Sequence, residues 1–76
     1  MQMRERLLEA AESHYEAQMK KNIALLENYL DHSAGIGEHP DIVEEVIKVI
    51  DNLSAARDGF ETIEYYRKLP KIYDQR

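Results

Sequence analysis

Residues 31–41, Asp-His-Ser-Ala-Gly-Ile-Gly-Glu-His-Pro-Asp, separate two long runs with helical periodicity. Gly35 and Gly37 can take the positive φ that closes a helix in a left-handed cap. Pro40 has no amide hydrogen to donate, so it suits a turn or a helix's first residues, not a helix interior. The chain must double back here. The pattern predicts an all-α helical hairpin, with a helix over 2–31, a linker over 32–39, a helix over 40–68 and a tail over 69–76. Two registers serve the start of the second helix. In the preferred one, Pro40 is the first helical residue and His39 its N-cap; in the other, Asp41 is the N-cap and Glu44 closes a capping box. Either way, Glu44 and Glu45 complement the positive end of the helix dipole.

In the first run, Leu8, Ala11, Tyr15, Met19, Ile23, Leu26 and Leu30 recur every three or four residues, the spacing of one helical face. Leu7, Leu25 and Tyr29 widen that face, while Glu5, Glu9, Glu12, Glu16, Lys20, Lys21 and Glu27 fall mostly elsewhere. In the second run, Ile42, Val46, Val49, Leu53, Ala56, Phe60 and Ile63 form a strict heptad seam, the pattern of left-handed helix packing. Val43, Ile47 and Ile50 add apolar surface beside it. Gly59 costs the helix about 1 kcal/mol relative to alanine, but lets a neighbouring helix approach closely. Pro70 disfavours helical geometry at Leu69 and should end the second helix near Lys68.

A lone hairpin cannot bury two broad apolar faces. The seam is therefore expected to be an oligomer seam, joining hairpins into a homodimeric four-helix bundle or a larger helical assembly. The chain has 76 residues and no cysteine, which limits it to one small domain without disulfide or thiolate chemistry. It has no apolar run near the roughly 20 residues of a membrane span and no signal-peptide core, so a cytoplasmic protein without membrane contacts is expected. Its net charge of −5 is uneven: residues 1–64 carry 6 Lys/Arg against 14 Asp/Glu, and residues 65–76 carry 4 against 1. The body should repel nucleic acid.

The chemistry-bearing residues form few constellations. His32, Glu38 and His39 cluster about the turn with Asp31 and Asp41, but they span a glycine linker, and solvated turn residues are the better reading than metal ligands. His14, beside Tyr15 on the edge of the helix face, has no evident acid or nucleophile partner and reads as a packed boundary histidine. Asn22 and Arg57 fall close to the apolar faces, where polar residues fix helix register or, less favourably, line a ligand pocket. Tyr65, Tyr66, Arg67, Lys68, Lys71 and Tyr73 form the most functional-looking surface group. Aromatic and basic residues interleaved in this way can hold nucleic acid, but four basic residues beside an acidic body favour a dipole-complementing helix end and a protein contact. No catalytic, cofactor or metal site is assigned, and a non-enzyme is expected.

Tyr29-Leu30, then Ala34-Gly-Ile-Gly-Glu-His-Pro-Asp-Ile42, then Glu44-Glu45 and the apolar heptads resemble small helical proteins of tailed phages, including phages of cyanobacteria. The resemblance covers roughly residues 4–67 and rests mainly on the linker; the Tyr/Lys tail lies outside it. It implies a phage accessory or structural protein, located in the host cytoplasm or the virion, with a host or virion protein as a candidate partner. It carries over no catalytic residue. The expected function is that of a small helical oligomer acting through protein contacts. The alternative is an oligomer that sequesters a small anionic or nucleotide-like ligand through Arg57, Lys68 and nearby tyrosines.

Overall fold

The computed structural model describes residues 3–32 and 41–70. They form two helices, α1 (Met3–Asp31) and α2 (Ile42–Arg67), packed antiparallel as a hairpin. The molecule measures 57 × 19 × 13 Å, hardly thicker than one helix with its side chains. Gly35, Gly37, Glu38, His39 and Pro40, on which the turn was argued, lie outside the described residues, as do Lys71 and Tyr73 of the tail.

α2 begins at Ile42 with Asp41 as its N-cap, the second of the two registers weighed above. The Asp41 backbone sits at φ −104°, ψ 19°, away from the extended geometry that brings a cap oxygen onto the next turn's amides, and its side chain makes no capping bond. The first-turn carboxylates Glu44 and Glu45 supply the dipole's complement instead. The helix ends as Pro70 requires: the amides of Lys68 and Leu69 bond three residues back, to the carbonyls of Tyr65 and Tyr66 at 3.1 Å.

The α2 seam lies against α1. Val49, Ala56 and Ile63, one heptad apart, are the buried apolar residues, with Ile42, Val46, Leu53 and Phe60 half-buried beside them. The seven residues expected to form an oligomer seam thus face α1 within the hairpin. Gly59 explains the close approach. A Cβ built there would lie 2.5 Å from Cζ and 2.7 Å from Cδ1 of Tyr15, so the Tyr15 ring occupies the space a side chain would need.

On α1 the stripe that faces α2 differs from the apolar series read from sequence. It runs through Leu8, Tyr15, Asn22 and Tyr29, each seven residues from the last, flanked by Ala11, Gln18, Met19 and Leu26. Ile23 and Leu30, expected inside, stay exposed. The reason is geometric. A partner with a strict seven-residue seam is met by a seven-residue stripe, and stepping from Met19 to Ile23 rotates away from it. The stripe crosses a polar residue instead: Asn22 is 3% exposed, and its Nδ2 donates to the Gln18 carbonyl at 2.7 Å. That bond stays within α1. No buried side-chain nitrogen or oxygen among the described residues lacks a partner.

Candidate surfaces of the hairpin

The end of the hairpin away from the linker is tied by Arg67. Its position in the last turn of α2 brings its guanidinium over the first turns of α1. One terminal nitrogen meets Glu12 Oε2 at 3.0 Å, the other Glu5 Oε2 at 2.9 Å, and Glu64 Oε2 stands 3.8 Å away. Glu5 and Glu12 are seven residues apart, so both lie on the flank that α2 approaches. The hydrogen bond from Arg67 holds the Glu12 carboxyl below its ordinary range. Glu12 in turn raises the pKa of Arg67. Arg67 was read as part of the tail's exposed group, and Glu5 and Glu12 as solvated; the structure joins all three across the helix pair.

On the opposite flank of the same end, Arg4 donates to the Tyr66 hydroxyl at 2.5 Å and its guanidinium lies 5.8 Å from that ring's centroid. Leu7 and Leu8 complete a shallow hollow there. Tyr65 and Lys68, the other described members of the expected surface group, are exposed.

The remaining candidates separate. His32 is exposed, with Nδ1 3.1 Å from the Asn28 carbonyl in its own helix. His14 is exposed and stands edge-on to the Tyr15 ring, centroids 5.0 Å apart. Arg57 is not a buried seam residue but an exposed one, paired with Glu61 one turn on at 3.3 Å. Ser54, Asp58 and that pair line an open, polar surface hollow. Among the described residues no group of three or more histidines and carboxylates is placed to hold a metal ion, and neither helix is long and apolar enough to cross a membrane.

What the structure leaves most conspicuous is apolar surface. Leu7, Ile23, Leu25 and Leu30 of α1 and Val43, Ile47, Ile50 and Tyr65 of α2 are all exposed, against three fully buried apolar residues among those described. Compared with protein-family models, with curated proteins and with solved structures, the chain matches none.

Proposed function

We propose that this chain is a non-enzymatic, self-associating interaction protein whose hairpin is completed by further copies of itself. One observation carries the reading: among the described residues, more large apolar side chains are exposed than are fully buried. Each is worth about 1.5–3 kcal/mol when fully buried, and an interface is where such a hairpin gains that energy. Assembly leaves the hairpin ends, with Tyr65 and Lys68 at one of them, to meet a different partner. The linker's resemblance to small phage proteins supports a virion-associated component or an antagonist of a host protein.

Native mass spectrometry of freshly purified protein over a range of concentrations tests this. A dimer or larger oligomer of bare chains is the expected result. A monomer at every concentration refutes self-association. An oligomer carrying a fixed extra mass would replace this reading with that of a ligand-sequestering assembly.

A further inference from the structure

We propose that a second copy of this chain docks on the flank formed by Ile23, Leu30, Val43, Ile47 and Ile50, the two hairpins overlapping by their linker halves and running in opposite directions about a two-fold axis. This rests on the self-association proposed above and adds the surface and the arrangement.

These five residues share one side of the hairpin. Glu12 of α1 and Glu64 of α2 both reach Arg67, so their flanks adjoin. Ile50 and Val43 lie two and three heptads before Glu64, on the same stripe of α2, with Ile47 one turn along. Ile23 follows Glu12 by eleven residues, close to three full turns, and Leu30 follows by one heptad more. Tyr15 against Gly59 sets the antiparallel register, which carries Ile23 to the level of Ile50 and Leu30 to that of Val43. The side chains are open to solvent: Ile23 46%, Leu30 60%, Val43 65%, Ile47 47% and Ile50 44%.

The area fits a second copy. The chain exposes 6229 Å². A compact protein of 8.9 kDa exposes about 4,800 Å², so the chain taken as a whole, this flank being one part of it, exposes about 1,400 Å² more than a compact one. A stable interface takes about 800 Å² from each partner.

Charge selects the arrangement. Seven-residue steps from Leu30 and Ile23 lead to Glu16 and Glu9; steps from Val43 and Ile50 lead to Arg57 and Glu64, and from Ile47 to Ser54 and Glu61. One flank is thus mainly apolar in its linker half, where Glu27 also lies, and charged in its other half, where Glu9, Glu16, Glu61 and Glu64 outnumber Arg6, Lys20 and Arg57. Arg57 is already paired with Glu61, and Lys20 with Glu16. Two hairpins side by side in the same direction would set acidic half against acidic half. The reversed overlap keeps those halves at opposite ends and joins only the apolar ones.

The doubly substituted Ile23→Asp/Ile50→Asp chain is compared with Leu7→Asp, on the other flank, by analytical ultracentrifugation, with helicity followed by circular dichroism. The Asp pair should yield helical monomers, and Leu7→Asp should leave the dimer intact. If the Asp pair stays dimeric, this surface is wrong although self-association stands; if the wild-type chain is monomeric throughout, both fall. The arrangement is read by single cysteines in this cysteine-free chain. Ile47→Cys, near the axis, should form a disulfide-linked dimer on oxidation. Glu61→Cys should not, because two copies would stand about 40 Å apart at 1.5 Å per residue. Efficient Glu61→Cys linkage would overturn the reversed overlap in favour of side-by-side hairpins.

Discussion

Gly59→Ala sets two well-measured effects against each other at one atom. Gly59 lies inside α2, where alanine is preferred to glycine by about 1 kcal/mol. Were the site open, the substitution would stabilise the hairpin by that amount. The added Cβ, however, falls 2.5 Å from Cζ and 2.7 Å from Cδ1 of Tyr15, where carbon atoms prefer about 3.5–4.0 Å. The ring must retreat by about 1 Å or the helices must part, and overpacking of this kind costs about 1–3 kcal/mol. The net expectation is a loss of about 1 kcal/mol. The decisive comparison is a double-mutant cycle with Tyr15→Ala, measured by urea unfolding at one fixed protein concentration so that association does not enter the difference. In the Tyr15→Ala background the obstacle is gone, and Gly59→Ala should stabilise by about 1 kcal/mol. The coupling between the two positions should therefore be about 2 kcal/mol. If Gly59→Ala stabilises equally in both backgrounds, Tyr15 does not pack on Gly59 and the hairpin register drawn here is wrong.

Arg67→Met removes the guanidinium that lowers the Glu12 pKa and should speed amide exchange in the first turns of α1 and the last turns of α2. Because folded Glu12 titrates below its ordinary value, its contribution to stability is present above that value and lost as pH falls through the lowered one; the wild-type acid-induced fall in melting temperature should be steeper than that of Arg67→Met, and parallel curves would refute the linkage. Asn22→Leu should raise stability by about 1–2 kcal/mol in thermal melts, since Asn22 bonds only a carbonyl of its own helix and its removal strands no partner. Ile63→Ala truncates one of the three apolar side chains buried among the described residues and should cost about 2–4 kcal/mol by urea unfolding, whereas the exposed Tyr65→Ala should change little.

The hairpin was legible because its signals are local. α1 ends and α2 begins on either side of the linker, Pro70 marks the stop, and the α2 heptads hold their period without a break. The α1 face was less legible, because counting apolar residues follows Ile23 and Leu30, whereas the pairing of two helices follows a constant seven-residue step and so selects Asn22. Only the period of α2 could have revealed this, by asking which stripe of α1 matches it. The Arg67 clasp depends on residues 55 and 62 positions apart, and nothing in either segment signals it before the helices are set in register. Arg57 shows the reverse error: near the seam by its angle on the helix, it nonetheless turns to Glu61 and water.

The displaced pair, Asn22 inside and Ile23 outside, is also the strongest physical argument for assembly. A sequence shaped for a solitary hairpin would place the isoleucine on the stripe and the amide in solvent, since local pattern and global fold usually agree. Here they disagree most plainly at Asn22 and Ile23. Ile23 and Leu30 keep their own seven-residue spacing, as do Val43 and Ile50, so the outward residues are ordered as a second seam. Scattered exposed apolar residues need no explanation, but two aligned seams on adjoining helices do. The first seam closes the hairpin, and a second of the same period on the adjoining flank is the geometry from which a helix bundle grows.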